Sequence, residues 1–162
     1  MWREVQKIKW GERMFDEVVG KSSSRVLNRI DREHVKQFAR AIGDEHPIYV
    51  HSETGRNSRL RENIAPPTYP RVLNFGTIEG LELPAKGLIH GEQTYHYERP
   101  LLIGEEVYCY SKVKDYKERM GSKGKMGILR IENNGEDKEG MEIFSSTIVI
   151  IINEAVQKEL KA

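Results

Sequence analysis

Residues 64–84 read IAPPTYPRVLNFGTIEGLELP, and the architecture of the chain turns on what this stretch becomes. Its proline cluster forces extended backbone at the start, because residues that precede proline avoid the helical region. Thr68 is then placed to cap a helix over 69–81, with Val72, Leu73, Phe75, Ile78 and Leu81 spread over much of its circumference. A helix apolar on most sides is a buried one, so the spacing predicts a central helix that other elements must wrap.

The wrapping material follows it. From residue 88 the pattern changes period, and 88–98, 105–118, 125–134 and 141–152 read as four strands rich in branched and aromatic residues. Gly104, the run from Gly121 to Gly124, and Asn134 through Gly140 mark the turns between them. Upstream, SSRVLNRI (23–30) reads as a further strand. Asp31 is placed to cap a helix with Glu33 in its first turn and Val35, Phe38, Ala39 and Ile42 as one stripe. Ile30 is positioned to staple onto Val35, and Gly43 supplies the residue that leaves the helix. SETGRNSRLREN (52–63) is polar and irregular with room for one short helix, and EAVQKELKA (154–162) reads as a short closing helix. The order strand, helix, buried helix and four strands implies an α+β fold, an antiparallel sheet wrapped around a central helix.

Composition excludes several classes. At 162 residues the chain is expected to be one domain, 1–162, long enough for a real core. Charged residues make up 31% but nearly cancel, to a net +1, so bulk charge favours neither nucleic acid nor an acidic membrane surface. MWREVQKIKWGER (1–13) alternates charged and apolar residues too often for the apolar region of a signal peptide. The longest apolar run, IVIII at 148–152, is far short of the ~20 residues a membrane span needs. The single Cys109 rules out an internal disulfide and a cysteine-rich zinc site, and its alternation with Val107, Ser111 and Val113 marks a small core residue. A soluble, cytoplasmic protein is the expectation.

Chemistry-bearing residues concentrate in AIGDEHPIYVHS (41–52), where Asp44, Glu45, His46, Tyr49 and His51 surround Pro47. An Asp just after a helix-ending glycine is a turn position, and it is also where a carboxylate can meet substrate. His46 and His51 lack the spacing of a helical metal pair, so no metal site is expected. RNSRLR (56–61) and KERMGSKGK (117–125) are basic loops, either solvated or placed to meet phosphate groups. His90 and His96, six residues apart in one strand, nominally share a face.

IGDEHPIYV (42–50), IAPPTYPRVL (64–73), HGEQTYHYERPLLIGEEV (90–107) and the terminal TIVIII (147–152) occur in this order. Together they resemble the MaoC-like dehydratase superfamily, most closely the fatty-acid-synthase-type dehydratase N-terminal domain, which is also the first half of two-domain R-specific enoyl-CoA hydratases. The resemblance covers about residues 18–152, with short extensions at both ends. It implies a hot-dog fold with residues 69–81 as the central helix. It further implies hydration of trans-2-enoyl thioesters, or dehydration of (R)-3-hydroxyacyl thioesters, carried on coenzyme A or acyl carrier protein. No separate cofactor is implied, and the thioester itself is the substrate. The partner implied is a second hot dog, as a homodimer or as a heterodimer with a catalytic MaoC-type subunit.

The catalytic motif of that superfamily is Asp-x-Asn-Pro-Ile-His, whose Asp and His handle the proton transfers between water and the alkene carbons. Here Asp44 holds the Asp position, His46 the Asn position, and Tyr49 the His position. The dyad is half kept, because a phenol with a pKa near ~10 is a poor general base at neutral pH. The resemblance makes Asp44 and Tyr49 the catalytic positions, and it lines the substrate with His46, Pro67, Thr68, Tyr69 and His90. His90 in HGEQ alternatively braces the strand or the seam between hot dogs. In catalytic relatives a backbone N–H at the start of the central helix polarises the thioester carbonyl, and Pro70 removes one such donor. Two functions stay open: a hydratase-type subunit with an incomplete dyad, and a hot-dog dimer that binds acyl-CoA without turnover.

Overall fold

The computed structural model describes residues 15–122 and 124–161. The N-terminal stretch 1–13 and the last residue of the closing helix lie outside them. The elements in chain order are β1 (Val26–Arg29), α1 (Arg32–Ala41), α2 (Pro47–Val50), α3 (Ser52–Asn57), β2 (Leu88–Tyr97), β3 (Glu106–Gly121), β4 (Gly124–Glu136), β5 (Glu142–Asn153) and α4 (Glu154–Lys161). The strands form one five-stranded sheet in the order β1-β3-β4-β5-β2, antiparallel at every pairing. This is the α+β antiparallel sheet that the period-two segments implied, and it fits the hot-dog fold that the resemblance implied. β1 and β2 are its two edges.

The helix signals upstream of the sheet are obeyed. Asp31 accepts a hydrogen bond from the His34 N–H at 3.0 Å, which caps α1. Val35 and Ala39 are fully buried, as is Ile30 before the cap, and Phe38 packs on the core, so most of the apolar stripe faces inward, while Ile42 at its end is 46% exposed. Gly43 leaves α1 with φ +72°, a left-handed conformation that glycine adopts without strain.

The stretch 69–81 does not form a helix. Tyr69–Val72 make one 3-10 turn, Thr68 gives it no side-chain cap, and the chain then runs extended. Local polar chemistry explains why. The Asn74 N–H donates to Asn28 Oδ1, and Asn28 Nδ2 donates to the Asn74 carbonyl, each at 2.8 Å. Ser23 Oγ donates to the Phe75 carbonyl at 2.6 Å, and Asn74 Oδ1 accepts from the Gly76 N–H, where φ is +72°. Backbone groups a helix would pair internally are thus held by side chains from the strand region, and Asn74 and Gly76 favour that alternative. Ile78 is still buried and Val72 is 58% exposed, so part of the apolar pattern reaches the core without helical geometry.

Two apolar clusters fill the inner face of the sheet. One gathers Val107, Cys109, Phe144 and Leu101 with Val35 of α1 and Tyr69. The other gathers Val113, Tyr116, Leu129 and Ile152 with Phe15, Ile78 and Val156 of α4. Close packing leaves no room for side chains at some strand positions: a methyl on Gly135 would overlap the Phe144 ring. Residues 117–125 are not a loop, because β3 continues to Gly121 and β4 starts at Gly124.

Candidate functional site

The turn after α1 is built by the residues that carry its chemistry. Asp44 Oδ1 accepts from the His46 N–H at 3.3 Å, so part of this exposed carboxylate closes its own turn. His46 Nδ1 accepts from the Ile48 N–H at 3.2 Å and caps α2, with Pro47 at the first helical position. An accepting Nδ1 leaves the proton of a neutral ring on Nε2. The His46 and Tyr49 rings meet edge to face with centroids 5.8 Å apart. Tyr49 is half-buried against the core, and burial, followed by the Asp44 carboxylate, pushes its phenol above the ordinary range. At neutral pH Tyr49 is therefore a protonated hydrogen-bond donor and not a base.

Three separated stretches converge beside it. The Ile64 N–H donates to the Ile48 carbonyl of α2 at 3.3 Å, and the Ala65 N–H donates to the Leu101 carbonyl at 2.9 Å. Ile64 and Leu102 form an antiparallel bridge. Tyr97 Oη donates to the Pro67 carbonyl at 2.7 Å. Glu105 closes the turn after Arg99 by accepting from its Nη1 and Nη2 at 3.1 and 2.8 Å and from the Leu102 N–H at 2.7 Å. Between these stretches lies an open apolar pocket of about 310 Å³, lined by Ile64, Ala65, Pro67, Tyr97, Arg99 and Leu101.

Of the predicted substrate-lining residues only Pro67 lines this pocket, and neither Asp44 nor Tyr49 does. Pro67 and Thr68 are exposed, and among the described residues the Thr68 N–H has no acceptor. The Tyr69 and Arg71 N–H groups are spent on the Pro66 and Thr68 carbonyls, at 2.9 and 3.0 Å. Tyr69 is only 3% exposed and packs edge-on against Phe38 at 5.4 Å, which makes it a core residue. His90 lies seven residues from Tyr97 along β2, roughly 20 Å at strand rise, and is exposed. His90 and His96 do not share a face. A bulge between His90 and Glu92 pairs His90 with Ile150, on the face of Ile148 and Gln93, whereas His96 pairs with Ser145 on the opposite face.

Asn63 is the positioning residue that sequence reasoning missed. It is fully buried, and its Nδ2 donates to the Ile48 and His51 carbonyls at 2.6 and 2.9 Å. Its Oδ1 accepts from Arg32 Nη1 at 2.8 Å, which ties α1 to the segment carrying Tyr49. Gly55 is required beside it, since any Cβ there would press on Asn63. An asparagine inside a polar run gives no sequence signal of burial. Among the described residues no three His, Cys, Asp or Glu side chains gather to hold a metal ion. Nor, among them, is any helix long and apolar enough to cross a membrane.

A five-stranded antiparallel sheet with this converging turn is the arrangement of a hot-dog fold. The pattern of the FAS1-like, dehydratase domain region matches residues 17–146, and the chain belongs to that family. A UPF0336 protein of Thermobifida fusca is 27% identical over 129 residues, covering 76% of this chain and 82% of the relative. The C-terminally truncated HadBC (3R-hydroxyacyl-ACP dehydratase) complex of Mycobacterium tuberculosis is similar in fold. Its TM-score is 0.65 at 18% identity, over 83% of this chain and 96% of that one. The (R)-hydratase of A. caviae has a TM-score of 0.62 at 19% identity, with the same two coverages, 83% and 96%.

Proposed function

We propose that this chain is the acyl-thioester-binding subunit of a hydratase or dehydratase acting on trans-2-enoyl and (R)-3-hydroxyacyl thioesters, and that its own catalytic dyad is incomplete. The observation that carries this reading is Tyr49. It stands where the superfamily places the basic histidine, yet burial and Asp44 hold it protonated. It can donate a hydrogen bond to a thioester oxygen or a water, but it cannot take a proton from that water at neutral pH. The free Thr68 N–H is a second donor for the thioester carbonyl, in place of the N–H that Pro70 lacks. His46 uses Nδ1 on its own turn, which leaves Asp44 as the proton-handling group. The missing base comes from a catalytic MaoC-type subunit, in keeping with the two-subunit makeup of the HadBC complex.

The test is hydration of a trans-2-enoyl-CoA by the pure protein, alone and with a catalytic MaoC-type subunit. Activity alone is expected to be roughly 10²–10⁴-fold below that of the pair, the usual contribution of a general base. Robust activity without a partner that survives Asp44→Asn would place the chemistry elsewhere. Binding of acyl-CoA with no turnover in either arrangement would favour the second reading, a hot-dog dimer that only holds its ligand. Light scattering separates the assemblies, since a specific pair is expected to bury at least ~1,200 Å².

A further inference from the structure

A polar row crosses the middle of the inner face, where the two apolar clusters meet. Strand register places Ser111 opposite Asn133, Asn133 opposite Ser146, and Ser146 opposite Tyr95, one residue from each of β3, β4, β5 and β2. Asn133 and Ser146 are 7% and 4% exposed, and Asn133 Oδ1 accepts from Ser111 Oγ. Gln93, the next inward residue of β2, has a buried Oε1 with no hydrogen-bond partner among the described residues. Gln93, Tyr95, Asn133 and Ser146, together with the apolar Leu73, Phe75 and Ile148, line a chamber of about 70 Å³, closed by Pro70 and the exposed Arg71 where a central helix was expected. The Gly91 bulge turns His90 onto the same face, one rung beyond Gln93.

A row of this kind is purely structural where every member is paired, but Gln93 Oε1 has no protein donor among the described residues and is left to meet water or a ligand group. The chamber holds roughly two water-sized groups, too little for a continuing alkyl chain. It also adjoins the candidate site, because Tyr95 is two residues from Tyr97 on the same face, and Pro70 is three residues past Pro67. Resting on the acyl-thioester reading above, we propose that this chamber receives the end of a short acyl chain and selects one that carries a hydroxyl, whose proton goes to Gln93 Oε1. Unsubstituted alkyl chains would leave Gln93, Asn133 and Ser146 facing apolar carbon.

The test is calorimetric binding of hexanoyl- and octanoyl-CoA and of their 5-hydroxy and 7-hydroxy counterparts to the full chain. The better hydroxylated ester is expected to bind about tenfold more tightly than its alkyl partner, the scale of one satisfied hydrogen bond. Gln93→Leu should erase that preference by lowering the affinity of the hydroxylated ester to that of its alkyl partner, with the melting temperature unchanged or higher. If Gln93→Leu does not fold, Ser146→Ala is expected to show the same loss of preference. Equal binding of hydroxylated and alkyl esters, or a preference that survives both substitutions, overturns the chamber assignment and leaves the acyl-thioester reading standing. Binding of none of the four esters overturns both.

Discussion

Replacing Asn28 by alanine tests why the stretch 69–81 is extended. The substitution removes two hydrogen bonds of 2.8 Å to the backbone of Asn74, one donated and one accepted. Each is worth about 0.5–1.5 kcal/mol net, and the freed Asn74 groups can reach water, so the loss should fall in the lower half, ~1–2 kcal/mol. At this chain length 1 kcal/mol moves the melting temperature by roughly 2–4 °C, which predicts a drop of about 2–8 °C. The urea midpoint should fall with the slope unchanged, since the surface exposed on unfolding is the same. Hydrogen exchange at the Asn74 amide should accelerate about tenfold or more, a local effect that a general loss of packing would not single out. Asn28→Asp keeps the acceptor for the Asn74 N–H and should lose about half as much. An unchanged melting temperature together with an unchanged Asn74 exchange rate would refute the clasp.

Other substitutions probe the site and the core. Tyr49→His should raise enoyl-CoA hydration by the isolated chain about 10²-fold, and Asp44→Asn in the same background should remove the gain. Asn63→Ala should cost about 3 kcal/mol or more in urea unfolding, because it strips three hydrogen bonds from a fully buried site. Cys109 is fully buried and its thiol is pushed up to about 12 from 9.0. The unfolded chain therefore loses that proton first, and the thiol's contribution to stability, complete below pH 9.0, is lost as pH rises toward about 12. Melting temperature should decline over that window, less steeply in Cys109→Ala; an identical slope in both proteins would show that other groups carry the decline.

Much of the fold could be read from residue types because local rules and global packing agree there. Asp31 caps α1, Gly43 ends it, and 88–98, 105–118, 125–134 and 141–152 each match a strand to within three residues at either end. The partners of Asn28 and Asn63 were not legible. Asn28 meets Asn74 46 residues away, and Asn63 meets Arg32 31 residues away. A polar side chain carries no mark of which distant backbone group it will satisfy. Face assignments along β2 failed for a related reason: one bulged residue at Gly91 reverses the parity of everything before it, and a glycine within a strand pattern only hints at that.

The sequence by itself determined the antiparallel sheet, the cap and exit of α1, and the order of the motifs, all of which rest on period, turn chemistry and spacing within a few residues. Tertiary structure decided what fills the sheet. Apolar periodicity argued for a helix over 69–81, but that pattern records only that these side chains need burial, and more than one backbone path can achieve it. Asn28 and Ser23, brought close by the β1–β3 side of the sheet, hold the backbone carbonyls and N–H groups that a helix would have paired internally. The polar row across four strands likewise exists only once register sets Ser111, Asn133, Ser146 and Tyr95 abreast. Both depend on contacts between residues far apart in the chain, whose hydrogen bonds form only after the sheet has brought them together.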